Sequence, residues 1–361
     1  MTRQVIVVGG GVIGAAIAYE LSKISTIQVT LLDRQEPAQG STGAALGILM
    51  GVISHKTKGR AWRMREASLN RYETLVPELE SLTGMTIPYN RQGILMLLSE
   101  GADLANWDAL ISARQAQGWS LECWSREQVR DRCPQIHDEI LMAGIYSPGD
   151  RQIDPTQLTL ALLEGVRRNG GIVKFPLMVE AISPEMHGIC IHTNEGELVA
   201  DRVVLAAGLG SDTLSQQSTQ PLQLQPVLGQ ALRLRLAEDM GFPAFQPVIT
   251  GDDIHIVPLG QGEYWIGATV EFPTETGEVD AQAELLEEVL NGAIAFCPAL
   301  AQGEILQTWS GLRPRPVNRP APIVERLSGY DQVFLATGHY RNGVLLAPAT
   351  AQMTVDAILE G

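Results

Sequence analysis

The chain has 361 residues, more than one hydrophobic core usually organises, so two domains are expected. Apolar residues make up 45% and charged residues 19%, a globular composition that excludes a disordered chain. With 26 basic against 41 acidic residues the net charge is −15, which disfavours nucleic acid and anionic membrane surfaces as partners.

The first element is "QVIVV", a β-branched run of the kind found in buried parallel strands. "GGGVIG" follows, with Gly9, Gly11 and Gly14 at GxGxxG spacing, then a small-residue helix through Ala15, Ala16, Ala18 and Leu21. The apolar opening is too short to span a membrane, and only Arg3 precedes it, so neither a signal peptide nor a membrane span is expected. Gly9 permits the tight turn, Gly11 clears space for a pyrophosphate, and Gly14 lets helix and strand approach. The helix N-terminus adds unpaired N–H groups and a positive dipole end. A second strand, "IQVTLLD", ends in Asp33, 19 residues beyond Gly14, where a carboxylate can accept from ribose hydroxyls. Asp33 would repel a 2′-phosphate, so Arg34 reads as solvent-facing or cofactor-flanking. These features point to dinucleotide binding and leave NAD or FAD open. The loop "RQEPAQGSTGAALGILMG", with Ser41 and Thr42, suits close wrapping of a bulky cofactor.

Residues 60–83 read as a helix that exits towards Pro88, and "GILMLLS" as a strand followed by helical "EGADLANWDALISARQAQG". "DPTQLTLALLEGVRRNGG" is a helix capped by Asp154, with proline at its first position. "LVADRVVLAAGLGSDTL" reads as one buried strand running into a Gly/Ser turn, whose Gly208 is expected at the cofactor. From Pro221 to Ile266 short alternating strands point to an antiparallel sheet, and "DAQAELLEEVLNGAIAFCPAL" to an amphipathic helix with a solvated acidic face. "VFLATG" is a strand, "HYRNG" a loop, and residues 344–360 a helix with irregular first turns at Pro348. Cys123, Cys133, Cys190 and Cys297 lack CxxC spacing, so reduced cytoplasmic thiols are expected, with neither a metal site nor a disulfide framework.

The fold class expected is mixed α/β: a Rossmann-like parallel-sheet domain assembled from 1–87, 146–220 and 309–361, with an inserted antiparallel-sheet domain from 88–145 and 221–308. The blocks "VIVVGGGVIGAAIAYELS", "GSTGAALGIL", "VVLAAGLGSD", "IVP" with "IGATV", "GLRP" and "GHYRNGVLLAPATA" run nearly end to end. On these the chain resembles the glycine oxidase branch of the D-amino-acid oxidase family of FAD enzymes, the branch that serves thiazole formation in bacterial thiamine synthesis.

That resemblance implies a D-amino-acid oxidase/glutathione-reductase-like fold and non-covalent FAD. It implies FAD contacts at Val12, Ile13, Asp33, Arg34, Ser41, Thr42, Leu46, Gly47, Ile48 and Val179. It places His339, Tyr340, Arg341, Asn342, Gly343, Val344 and Leu345 at the isoalloxazine, with the last helix pointing its positive end at the flavin pyrimidine ring. Arg313 and Arg341 match the substrate arginines of the family. An amino-acid carboxylate in a desolvated pocket needs such a fixed, always-charged fork. Arg315 and Arg319, among prolines, are expected in solvent. His255 stands where the family can carry a carboxylate-binding tyrosine; it can donate the same hydrogen bond and titrate near neutral pH, or point from its strand to solvent.

The resemblance further implies a small amino-acid substrate, molecular oxygen as its partner and a homo-oligomer, a tetramer. Sarcosine oxidase, D-amino-acid oxidase and flavin-dependent amine dehydrogenase lie in the same class. A nicotinamide-dependent dehydrogenase and a flavin-bearing binding protein lie outside it.

Overall fold

The computed structural model describes residues 2–137, 139, 141–186 and 188–360. Its centre is a six-stranded sheet ordered Ile323–Arg326, Val333–Thr337, Arg202–Leu205, Arg3–Val8, Ile27–Leu32, Ile172–Lys174. All pairs are parallel except Ile323–Arg326, which caps one edge antiparallel. Strand alternation sends Val5 and Val7 to one face and Ile6 and Val8 to the other. Val5 and Val7 pack among helices Val12–Ser22, Pro155–Arg168 and Gly343–Glu360. Ile6 and Val8 meet Ile182, Ile189 and Ile191 of a three-stranded antiparallel sheet, Val179–Glu185, Gly188–Thr193 and Gly196–Ala200. The strand Arg3–Val8 is therefore covered on both sides, which is why "QVIVV" is apolar throughout instead of alternating.

The expected single strand at 198–206 is two. Gly196–Ala200 belongs to the small antiparallel sheet and Arg202–Leu205 to the central one, with the chain crossing between them at Asp201. Asp154 caps its helix as read, accepting from the N–H groups of Thr156 and Gln157. The helix Gly59–Thr83 stops at Gly84, in the left-handed conformation with φ 72°, ahead of Pro88.

The remaining strands form an eight-stranded sheet ordered Glu304–Pro316, Leu224–Arg235, Glu263–Gly267, Ile254–Gly260, Val248–Gly251, Ile94–Ser99, Leu141–Ser147, Glu122–Ser125. It is antiparallel except where Val248–Gly251 runs parallel to Ile94–Ser99. Helix Ala283–Phe296 covers it, its acidic side chains outward. Two expected boundaries fall inside strands: 145/146 within Leu141–Ser147 and 308/309 within Glu304–Pro316. The second strand was hidden by Pro314 and Pro316, which a sheet accepts because this is an edge strand.

Candidate active site

A cavity of about 1230 Å³ opens where the parallel strands end. The segments after Arg3–Val8, Ile27–Leu32, Arg202–Leu205 and Val333–Thr337 all line it, as ligand clefts in open α/β sheets are lined. Its size exceeds the roughly 300–1,000 Å³ usual for small-ligand pockets and suits a dinucleotide with a substrate beside it.

At one end lies the glycine turn. Gly9 has φ 116°, and a Cβ there would sit 2.4 Å from the carbonyl oxygen of Ala206. A Cβ on Gly14 would fall 1.9 Å from the carbonyl oxygen of Gly9, so strand and helix meet at backbone distance. Helix Val12–Ser22 has no side-chain cap from its own Gly11; the hydroxyl of Thr42 accepts from Val12 N at 3.0 Å instead. Ser41 donates to the carbonyl of Leu312 at 2.5 Å, tying the same loop to the edge strand. Asp33 accepts from Gly10 N at 2.5 Å and from Gln35 N at 3.0 Å, which fixes its carboxylate at the cavity wall. Arg34 is exposed beside it. A bare-backbone cradle, a helix N-terminus and a fixed acid fit the diphosphate and ribose of FAD.

Each residue expected at the cofactor lines this cavity except Gly14, whose part is the close strand-helix packing. Val179 and Gly208 (φ 57°) are included, on the wall nearest the three-stranded sheet. "HYRNG" is more regular than a loop. Tyr340–Asn342 form one 3₁₀ turn that runs directly into helix Gly343–Glu360, with Pro348 inside the helix. Tyr340 holds φ 54°, a conformation uncommon for an aromatic residue. His339 is buried, its Nε2 2.9 Å from the hydroxyl of Thr350, and burial pushes its ring down to about 3.

At the other end Arg313 and Arg341 face the cavity with His255. Arg313 projects from the edge strand and donates through Nη1 to the carbonyls of Leu228 and Thr269, both at 3.0 Å. Its guanidinium lies against the bare backbone of Gly229, where a Cβ would come within 2.0 Å of Nη2. Burial and the charge of Arg341 lower its proton affinity, yet a guanidinium stays charged at neutral pH. Arg341 donates through Nη2 to Asp253 Oδ1 at 2.8 Å.

The two expectations for His255 both change. It lines the cavity instead of facing solvent, with Nδ1 2.7 Å from the Thr250 hydroxyl. Burial, reinforced by Arg341, lowers its ring to about 4, so it is neutral at physiological pH and does not titrate near neutrality. Arg315 is exposed as expected, its guanidinium 5.2 Å from the Phe272 ring and 5.6 Å from that of Tyr340. Arg319 pairs with Glu325 at the surface.

Several further groups at the cavity were not legible in the sequence as site residues. Asp253 sits in a two-residue turn, "DD" between apolar alternations, a signal that was legible as a turn but not as an ion pair. Arg65, nine-tenths buried on helix Gly59–Thr83, lines the cavity. It donates to the Ala61 carbonyl at 2.9 Å and to Asn342 Oδ1 at 3.3 Å, and its Nε finds no partner among the described residues. Behind it the cavity-lining segment after Ile48–Leu49 is clasped from both sides. Buried Asp150 accepts from the N–H groups of Gly51, Val52 and Ile53 at 2.7–2.8 Å. Buried Arg114 donates to the carbonyls of Val52 and Ser54 at 2.6 Å.

Away from the cavity, Cys190, His192 and Glu197 bring thiol, imidazole and carboxylate within 4.8 Å on the three-stranded sheet. Both imidazole nitrogens are engaged within the protein, Nε2 by Ser183 at 2.8 Å and Nδ1 by Glu197 at 3.1 Å. None of the four cysteines lines the cavity. Among the described residues no helix is long and apolar enough to cross a membrane.

The family model for FAD dependent oxidoreductases of the DAO type matches residues 4–357. The bifunctional protein ThiO/ThiG of Synechocystis sp. is 33% identical over 371 residues, covering 99% of this chain and 52% of that protein. The chain thus spans about half the length of such bifunctional relatives. The glycine oxidase of Bacillus licheniformis is 30% identical, covering 98% of this chain and 92% of its own length. The crystal structure of glycine oxidase from Geobacillus kaustophilus superposes with a TM-score of 0.90 at 26% identity, covering 99% of this chain and 95% of that one. The expected mixed α/β oxidase fold is the observed one, and the chain belongs to the DAO family of FAD-dependent oxidoreductases.

Proposed function

We propose that this chain oxidatively deaminates glycine and related small amines or D-amino acids to the 2-oxo acid, ammonia and hydrogen peroxide, and that it supplies glycine imine for thiazole formation in thiamine biosynthesis. The observation that carries the chemistry is Arg313: a guanidinium held flat on Gly229, hydrogen-bonded through one nitrogen to two neutral carbonyls, inside a cavity whose other end has the glycine turn suited to a dinucleotide. The thiamine link is supported by the full-length match to ThiO/ThiG proteins.

FAD, when bound, supplies the acceptor for the hydride equivalent from the substrate α-carbon and hands the electrons to oxygen. Arg313 binds the substrate carboxylate, a charge-assisted contact contributing about 1.5–3 kcal/mol. Arg341, already partnered by Asp253, is left with a secondary share of that anion. Neutral His255, oriented by Thr250, offers a hydrogen bond without adding charge. The substrate binds with its amine already neutral, its proton lost to solvent; with the carboxylate fixed, the α C–H is aimed at the cofactor and no side chain need act as a base. The eight-stranded sheet carries substrate recognition, and the six-stranded sheet with its helices carries FAD.

Peroxide release from glycine, sarcosine and D-alanine tests this reading. Stoichiometric peroxide with glycine among the best substrates is expected; electron transfer to an artificial acceptor without peroxide would identify a dehydrogenase instead.

A further inference from the structure

The hairpin joining Val248–Gly251 to Ile254–Gly260 turns through Asp252 and Asp253, both in the left-handed region at φ 48° and 62°. Such turns favour glycine, asparagine and aspartate, and here they set two aspartates at the edge of a binding cavity. The turn delivers Asp253 Oδ1 to 2.8 Å from Arg341 Nη2, across the cavity from the 3₁₀ turn that carries the arginine. The hydrogen bond and charge of Arg341 hold the Asp253 carboxyl below the usual range, with help from His255 and Arg313, so it is ionised at neutral pH.

The two arginines therefore present different faces to a ligand. Among the described residues Arg313 is hydrogen-bonded only to carbonyls; Glu271, whose charge reaches it, is taken up by Gln230, Thr269 and the backbone N–H of Gln282. Arg341 already has its counter-ion. A substrate with one carboxylate finds its match at Arg313, whereas a second carboxylate reaching Arg341 meets the like charge of Asp253, whose exposed side chain leaves that repulsion partly screened.

We propose that Asp253 is a specificity-determining residue, which neutralises Arg341 and restricts the cavity to amines bearing a single carboxylate. This rests on the amine-oxidase reading above. Asp253→Asn keeps the size and turn preference of the side chain and removes its charge. Two matched pairs isolate the second carboxylate: sarcosine against iminodiacetate, and D-alanine against D-aspartate. Relative to the wild type, the kcat/KM ratio of dicarboxylate to monocarboxylate is expected to rise about two- to fivefold in the FAD-loaded variant.

A second readout needs no turnover. Acetate and malonate are titrated into both FAD-loaded proteins and followed by the change in the flavin visible spectrum. Malonate should tighten relative to acetate by a similar factor in Asp253→Asn. If neither protein oxidises any amine, the amine-oxidase reading fails while the titration still reports on Asp253. A malonate-to-acetate ratio that is the same in both proteins overturns the assignment of Asp253, whatever the turnover.

Discussion

Gly229 lies under Arg313 so closely that a Cβ there would come within 2.0–2.4 Å of three guanidinium atoms. The clamp is thus positioned by the lack of a side chain on the facing strand as much as by its two carbonyl partners. Gly229→Ala, in an otherwise ordinary strand conformation, should push the guanidinium off its seat. Losing a charge-assisted contact of about 1.5–3 kcal/mol corresponds to a rise in apparent KM for glycine of about ten- to a hundredfold. Steady-state peroxide assays on the variant, with the visible spectrum confirming bound FAD, check this; an unaltered KM would mean the guanidinium is anchored elsewhere.

His255 and His339 are lowered by burial to about 4 and about 3 from an ordinary 6.5. Between pH 6.5 and 4 the unfolded chain takes up protons on these rings that the folded chain refuses. Stability should be fully present above pH 6.5 and fall as pH drops towards 4. Thermal unfolding of the FAD-loaded protein across that window measures the slope, and His339→Gln should flatten it. In catalysis, His255 should add no ionisation near neutrality, so the pH profile of kcat/KM should keep its shape in His255→Gln. A wild-type inflection near pH 6.5 that disappears in that variant would contradict a neutral ring at this half-buried position.

Much of the cofactor half was legible in the sequence because its constraints are local. Gly9 must be glycine for its own φ of 116° and Gly14 for its approach to the Gly9 carbonyl, and Asp33 follows at the end of the next strand. Asp154 likewise announces its helix through groups two and three residues away. The substrate half was less so. The Glu304–Pro316 strand was masked by prolines that only an edge position tolerates, and edge position is a property of the whole sheet. The depression of His255 and the pairing of Arg341 with Asp253, 88 residues apart, depend on burial and on a long-range approach that periodicity does not encode.

Gly14→Ala tests the cradle. Its Cβ would lie 1.9 Å from the Gly9 carbonyl oxygen, a backbone clash that no rotamer relieves. The strand and helix must separate, and the variant should be purified largely without the yellow cofactor and with reduced thermal stability. For the wild type, acid precipitation should release all the colour to the supernatant, since no cysteine lines the cavity. Colour retained in the pellet would show a covalent link.

The most direct measurement is an anaerobic glycine titration of wild type and Arg313→Ala, both FAD-loaded, followed at the flavin visible band. The wild type should bleach fully, and the variant should bind FAD normally yet need about ten- to a hundredfold more glycine for the same bleaching. No bleaching of the wild type by glycine, or superimposable curves for the two proteins, would contradict an amine oxidase anchored on Arg313.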